Sequence, residues 1–312
     1  MSDSNSEKND DKVETISLNT SSSIERGIQY SDVLDMLSFT FLIYDYGKII
    51  NYTPGDTLQN FISKLHENDK ELDDKINLSP IKQKALKQLQ NNSHDVEIKE
   101  FISDIDTDLQ VGITMSRKNK RISIIFRGSE SAYDWYYDLK FLKTCIKREE
   151  NVYVHNGFYT QLTTNKNDEL LTEKVKKLLE DNPDYSVYVS GHSLGGALCT
   201  LYGYLLSHEI SQQVTIVSFA SPRVGNNGWK KSFDAKENLH HYRITNCNDI
   251  VTAFPNILYR HVGENIRLEN NKSPTFLYDY SYSWWDYCLF KCYSITDHFC
   301  DEYYKHLVAS NW

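Results

Sequence analysis

The spacing of apolar residues divides the chain into a helical first part and an alternating second part. Apolar positions recur three or four residues apart in 32–43 and 58–65, which predicts amphipathic helices. We therefore expect a helical covering over 24–95, at the start of a single domain over 24–312. Residues 1–23 are polar and acidic and are predicted to form a disordered tail.

From residue 96 onward the pattern is typical of strands that alternate with helices. Strands are predicted at 96–102, 109–115, 121–126, 185–189, 214–219 and 241–245, and helices at 169–179, 195–208 and 298–308. Such alternation favours an α/β fold, in which helices cover both faces of a mostly parallel central sheet. Residues 96–312 are expected to form this core, and the N-terminal helices an extension of it.

Composition and charge narrow the range of partners. With 34 basic and 43 acidic residues, a formal net charge of −9 and no basic cluster, the chain is not expected to bind nucleic acid. It has no apolar run of about eighteen residues, so no transmembrane segment is expected, while peripheral contact with a membrane stays open. The N terminus lacks a secretory signal pattern, so a cytoplasmic or membrane-peripheral location is expected.

The most specific pattern is Gly-His-Ser-Leu-Gly at 191–195, placed between a predicted strand and a predicted helix. Glycines two positions before and after Ser193 allow the tight turn that holds a serine hydroxyl clear of a sheet. The helix that follows directs its free amides towards a developing oxyanion. The pattern therefore predicts that Ser193 is a nucleophile in a fold of the α/β-hydrolase type. A glycine-rich turn without chemistry is the alternative.

A serine nucleophile needs a base and an acid that orients it, and in this topology the order is serine, acid, histidine. Asp249 follows a predicted strand and is the preferred acid, with Asp234 in reserve. An aspartate that only closes a loop is the alternative for Asp249.

The base must come from the downstream histidines, which are His240, His241, His261, His298 and His306. Sequence order removes the first two if Asp249 is the acid. His298 is favoured because it starts the last predicted helix, with Asp297 as a candidate N-cap. One alternative places it in a zinc cluster with Cys288, Cys292 and Cys300, although these spacings match no common zinc motif.

An acyl-transfer reaction also needs donors for the oxyanion. Phe-Arg-Gly-Ser at 126–129 ends an apolar strand, and its glycine would let the amide of Ser129 approach a ligand. The amide of Leu194 would be the second donor. The alternative is an ordinary exit from a strand.

Taken together, these motifs resemble the class 3 lipases, the fungal triacylglycerol lipase family with plant and protist relatives. The matching stretches are FRGS at 126–129, DW at 134–135, DL at 138–139, HNGF at 155–158, GHSLGG at 191–196, FASPRVGN at 219–226, YR at 242–243, NDIV at 248–251 and DH at 297–298.

The resemblance implies a triad of Ser193, Asp249 and His298, an oxyanion hole at Ser129 and Leu194, and hydrolysis of acylglycerol-like esters without metal or cofactor. Two alternative functions stay open. One is a phospholipase A1 or galactolipid acyl hydrolase, and the other is an inactive relative that binds lipid. The family usually has an aromatic residue about three positions after the histidine, where this chain has Asp301.

The family also carries a short lid helix after the oxyanion loop, which corresponds here to 129–141. Large rings in this stretch could close over the cleft and turn outward at a lipid–water interface; they are Tyr133, Trp135, Tyr136 and Tyr137. An aromatic helix packed on the sheet is the alternative. The aromatic segment 273–293 has no counterpart in the resemblance and is interpreted as an acyl-chain wall, an interfacial anchor or a core filler.

Overall fold

The computed structural model describes residues 27–46, 55, 57–71, 79–92, 94–129, 143–146, 150–255, 257–269, 272–277 and 294–312. Several expectations fall outside these residues. They concern the tail at 1–23, the lid rings Tyr133, Trp135, Tyr136 and Tyr137, the zinc candidates Cys288 and Cys292, and most of the aromatic segment 273–293.

Ten strands are present in the described part of the chain. They are β1 (Val96–Asp104), β2 (Leu109–Ser116), β3 (Arg121–Phe126), β4 (Lys143–Cys145), β5 (Tyr153–His155), β6 (Ser186–His192), β7 (Val214–Phe219), β8 (Leu239–Asn246), β9 (Glu264–Leu268) and β10 (Thr275–Leu277). Eight of them form one sheet in the order β1-β2-β3-β6-β7-β8-β9-β10. Strands β3 to β9 of this sheet pair in parallel, and antiparallel strands flank them on both sides.

Eight α-helices accompany these strands among the described residues. They are α1 (Tyr30–Tyr46), α2 (Leu58–Glu71), α3 (Pro80–Asn92), α4 (Asn156–Thr163), α5 (Asn167–Asp181), α6 (Leu194–Ser207), α7 (Asn227–Asp234) and α8 (Cys300–Ala309). None of the described helices is long and apolar enough to cross a bilayer.

The central strands β3 and β7 are buried at every position because helices cover both faces of the sheet. Alternate side chains enter different cores: Val217 and Phe219 pack with α1, α3 and α8, whereas Val214 and Ile216 pack with α5, α6 and α7. The expected α/β-hydrolase architecture, with helices on both faces of a mostly parallel sheet, is thus confirmed.

The start of the last helix differs from the expectation. His298 ends a short 3₁₀ turn, Thr296–His298, and α8 begins only at Cys300. Phe299 occupies the N-cap position without a side-chain capping bond, so Asp297 does not cap the helix. The His298 ring is thus carried by a separate turn before α8, and the apolar spacing of the sequence does not reveal this break.

Candidate active site

Ser193 lies at the junction of β6 and α6, with a positive φ of 59° and a ψ of −121°. Such a backbone conformation costs a non-glycine residue about 1–3 kcal/mol and persists only where its surroundings enforce it. Here the Ser193 amide donates to the Phe219 carbonyl at 3.0 Å, and the Ser193 carbonyl accepts from the Ala197 amide at 3.2 Å. Neighbouring β7 and the first turn of α6 therefore hold the serine at the carboxyl edge of the sheet.

The two outer glycines of the motif are required by close backbone approach. A Cβ on Gly191 would overlap the carbonyl of Gly195, and a Cβ on Gly195 would overlap the carbonyl of Phe126 at the end of β3. Both glycines therefore let the end of β6, the start of α6 and the exit of β3 meet around Ser193. This is the tight turn that the motif predicts.

The structure brings the three predicted residues together. The Nε2 atom of His298 lies 2.8 Å from the Ser193 Oγ, and its Nδ1 lies 3.1 Å from each carboxylate oxygen of Asp249. All three side chains are buried. With the serine hydroxyl donating to Nε2, the ring proton lies on Nδ1 and is donated to Asp249. This arrangement can remove the hydroxyl proton of Ser193 and stabilise the imidazolium that results.

Asp249 is held by two further donors. The amide of Val251 donates to its Oδ1 at 2.9 Å, and the hydroxyl of Tyr303 donates to its Oδ2 at 2.7 Å. The Tyr303 oxygen in turn accepts from the Asn246 amide at 3.0 Å. These bonds satisfy the oxygens of the buried carboxylate and fix its orientation. The sequence analysis did not identify Tyr303 as part of the site. Asp301 occupies the third position after His298, and Tyr303, two positions further on, is the residue that bonds to Asp249.

The main chain around His298 is also tied down. His192, the second residue of the motif, donates from Nε2 to the His298 carbonyl at 2.6 Å. The Asn246 side-chain amide donates to the Asp297 carbonyl at 2.8 Å and accepts from His306 at 2.9 Å. Residues of β6, β8 and α8 therefore fix the turn that carries the imidazole.

The predicted oxyanion loop lies against the nucleophile turn. A Cβ on Gly128 would overlap the carbonyl of His192, which shows how closely the loop approaches β6. Ser129 follows directly, and Leu194 is the first residue of α6, where helix amides have no internal acceptor. The amides of Ser129 and Leu194 as oxyanion donors stay a prediction.

The reserve candidates have other partners. Asp234 forms an ion pair with Lys230 on α7, with 2.6 Å between Nζ and Oδ2. His241 and His261 are buried, and burial holds the pKa of each well below its usual value. The former bonds to the Ser218 hydroxyl at 2.8 Å, and the latter donates to a main-chain carbonyl at 2.7 Å. Of these candidates, His298 is the one bonded to Ser193.

The zinc alternative does not fit the described part of the cluster. Both ring nitrogens of His298 are engaged by Ser193 and Asp249, so neither can coordinate a metal. Among the residues that the structure describes, no group of three or more His, Cys, Asp or Glu side chains is placed to hold a metal ion.

A surface groove of about 550 Å³ lies elsewhere, between α7 and the amino ends of β8 and β9. It is lined by residues such as Lys231, His240 and Glu264, and none of the triad residues borders it. Since Ser193 lies at the opposite edge of the sheet, this groove is not the place where a substrate meets the nucleophile.

Comparison with known proteins gives a consistent picture. Residues 123–259 match the family model described as Lipase (class 3), and this confirms the resemblance seen in the motifs. The matched stretch contains Ser193 and Asp249, while His298 lies beyond it.

Two relatives match about half of the chain. Phospholipase A1-IIgamma of Arabidopsis thaliana is 32% identical over 195 residues, which cover 54% of this chain and 46% of that protein. Secreted mono- and diacylglycerol lipase A of Penicillium cyclopium is 30% identical over 156 residues, covering 50% of each protein. The chain therefore spans about half the length of these relatives.

Among solved structures, lipase II of Rhizopus niveus superposes with a TM-score of 0.68. The superposition covers 88% of this chain and 94% of that one, at 20% sequence identity. At this level of identity the likeness establishes the shared fold, and the chemistry must be argued from the site itself.

Proposed function

We propose that this chain, which carries a class 3 lipase segment at 123–259, is a serine hydrolase that cleaves acylglycerol-like lipid esters. The observation that carries the proposal is the buried hydrogen-bonded series from the Ser193 hydroxyl through His298 to Asp249. A serine in a strained turn, bonded to an imidazole that is oriented by a carboxylate, is equipped for attack on a carbonyl carbon.

In the first half-reaction His298 takes the proton of Ser193 as the oxygen attacks the ester carbonyl. The tetrahedral oxyanion would accept hydrogen bonds from the amides of Ser129 and Leu194. As the carbon–oxygen bond to the leaving alcohol breaks, His298 returns the proton to that alcohol, and the acyl group remains on Ser193. Water, deprotonated by the same imidazole, then releases the fatty acid and restores the serine.

Neutral acylglycerols are the first candidate substrates, in keeping with the Penicillium relative that is named as a mono- and diacylglycerol lipase. Phospholipids are the second candidate, because the Arabidopsis relative with 32% identity is named as a phospholipase A1. Both substrates present the same carbonyl to Ser193 and differ in the head group that the surrounding loops must accept.

A substrate panel tests this function. The protein and its Ser193→Ala variant are assayed with a short p-nitrophenyl ester, a triglyceride emulsion and phospholipid vesicles. We expect the wild type to hydrolyse the soluble ester, the variant to lose at least about four powers of ten in rate, and the two lipids to reveal the preferred head group. A folded wild type that cleaves none of the three esters would instead indicate an inactive lipid-binding relative.

The same proposal includes contact with a lipid–water interface. Four of the large apolar side chains that are exposed in the described residues lie in loops between regular elements; they are Ile105, Ile257, Leu258 and Phe299. Ile257 and Leu258 are adjacent and are 68% and 71% exposed, and Phe299 directly follows His298. Two large apolar side chains exposed next to each other, Ile257 and Leu258, favour an apolar partner.

Hydrogen bonds to the main chain fix the loop that carries Ile257 and Leu258, both before and after these two residues. The Arg223 guanidinium donates to the carbonyls of Ala253 and Pro255, and the Arg260 amide donates to the Gly225 carbonyl at 2.7 Å. Leu258 itself has a φ of 61°, a conformation that costs a leucine free energy. With a net charge of −9, the protein is suited to neutral or zwitterionic lipid more than to an anionic surface.

A vesicle-binding experiment tests the interfacial contact. Cosedimentation with phosphatidylcholine vesicles compares the wild type, an Ile257→Ser/Leu258→Ser variant and a Val308→Ser control, in which an exposed valine near the far end of α8 is replaced. We expect the double variant to bind at least about tenfold more weakly, while its rate on the soluble ester stays unchanged. Equal losses in the double variant and the control would refute the contact.

A further inference from the structure

His192 lies within the nucleophile motif, yet its side chain points towards the base. Its buried ring packs on the ring of His298, with 4.9 Å between centroids, and meets Tyr303 edge-on at 5.9 Å. Its Nε2 donates to the main-chain carbonyl of His298 at 2.6 Å. Because a carbonyl can only accept, the proton of this imidazole must lie on Nε2.

The other nitrogen of His192 faces a residue from the N-terminal helix. The hydroxyl of Tyr44 lies 3.4 Å from Nδ1, which must act as the acceptor when Nε2 carries the proton. Burial, reinforced by the nearby His298, lowers the pKa of His192 to about 3. The ring is therefore neutral whenever the triad operates, and its tautomer is set by these two contacts.

The same tyrosine hydroxyl borders the oxyanion loop. A Cβ on Gly128 would overlap the Tyr44 hydroxyl as well as the carbonyl of His192. Only a glycine leaves room for this approach, one residue before the predicted oxyanion donor Ser129. The Tyr44 hydroxyl of α1 thus contacts His192, which bonds to the main chain of His298. It also contacts the loop at Gly128, which would bind the oxyanion.

We infer that His192 and Tyr44 are positioning residues for the reaction. His192 fixes the main chain of His298, and with it the imidazole between Ser193 and Asp249; Tyr44 fixes the tautomer of His192 and supports the exit of β3. Both residues act through His298 and the oxyanion loop and not on the ester itself. Small displacements of a catalytic group can lower a rate by about a hundredfold, so this support matters for turnover. The inference rests on the proposed ester hydrolysis.

Four variants test the inference on a short soluble ester, with kcat and KM measured separately. His192→Leu keeps the bulk of the ring and removes the donor, and we expect kcat to fall about 10- to 100-fold with little change in KM. His192→Gln can place an amide donor near the position of Nε2, so it should recover most of this loss. Tyr44→Phe should lower kcat about threefold or more, whereas Tyr30→Phe, on the same helix, should leave it unchanged.

Three outcomes would overturn the inference: an unchanged kcat in His192→Leu, equal losses in the Gln and Leu variants, or a loss that appears entirely in KM. Urea unfolding of each variant shows whether a lower rate reflects a loss of folded protein. The recovery of kcat in His192→Gln counts only if the Gln and Leu variants are equally folded. A wild type that hydrolyses no ester would count against the proposed function instead, because the comparison needs an active parent.

Discussion

At the scale of single residues, the site combines groups whose protonation is set by burial. His192, His241 and His261 are buried, and burial lowers the pKa of each, that of His192 to about 3. The unfolded chain would bind protons on these rings near the ordinary value of 6.5, and the folded chain does not. Between those two values the unfolded state therefore binds more protons than the native state.

This difference predicts that the free energy of unfolding decreases as the pH falls below about 6.5. The contribution of His192 is about 1 kcal/mol between pH 7.5 and 5.5, and it continues to grow towards pH 3. Urea unfolding at both pH values measures the effect in the wild type and in His192→Gln. We expect the pH-dependent difference to be about 1 kcal/mol smaller in the variant. An identical pH dependence in the two proteins would contradict the neutral state of His192.

The proximity of Ser193, Asp249 and His298 could be predicted, because each of the three residues leaves a signal in the sequence. Ser193 lies in a specific motif, Asp249 follows a strand, and His298 comes later in the chain, as the topology requires. The support provided by Tyr303 could not be predicted, because its bond to Asp249 joins positions 54 residues apart and depends on where α8 begins. The oxyanion amides and the lid rings stay predictions.

At the scale of elements, the N-terminal helix is joined to the sheet by charge as well as by apolar packing. Arg121 at the start of β3 is 3% exposed and contacts two carboxylates of α1, Asp32 at 2.7 Å and Asp35 at 3.0 Å. Burial raises the pKa of Asp35, although the guanidinium opposes this shift. A buried charge that loses its partner is strongly destabilising.

Replacing Arg121 tests the docking of α1. Arg121→Gln should lower the free energy of unfolding by about 2 kcal/mol or more, because two carboxylates lose their partner. The neighbouring Lys120→Gln is the control: the ion pair of Lys120 with Asp184 is largely exposed, so its loss should change the free energy of unfolding much less. Urea unfolding of the three proteins gives the comparison. Equal effects of the two substitutions would show that Arg121 does not hold the helix.

Regular elements were predictable where periodicity was strong. Strands β1, β2, β3, β6, β7 and β8 and helices α1, α5 and α6 follow the apolar spacing closely. Strand β9 carries polar residues such as Asn265 and Arg267 between its apolar positions and is only five residues long. Helix α7 has eight residues, and its start is set by the side chain of Asn226, which accepts from the Trp229 amide. Short elements of this kind depend on tertiary contacts that a sequence pattern does not contain.

At the scale of the whole molecule, the parallel order of the central strands explains where the candidate active site lies. Strands β3, β6 and β8 end at the same edge of the sheet, so the loop of Ser129, the turn of Ser193 and the loop of Asp249 meet there. The turn before α8 brings His298 to this edge from a distant part of the chain. Alternating strands and helices predict the architecture, but they do not predict how the last turn reaches the serine.

The proposed ester hydrolysis is tested most directly by the position of a covalent adduct. A fluorophosphonate ester, which resembles the tetrahedral intermediate at phosphorus, is allowed to react with the wild type, Ser193→Ala, His298→Ala and Asp234→Asn, and the modified peptide is identified by mass spectrometry. We predict one adduct, on Ser193, that is absent from Ser193→Ala, forms at least about a thousandfold more slowly in His298→Ala and is unaffected in Asp234→Asn. An adduct on another residue, or an undiminished rate in a folded His298→Ala protein, would contradict the proposed chemistry.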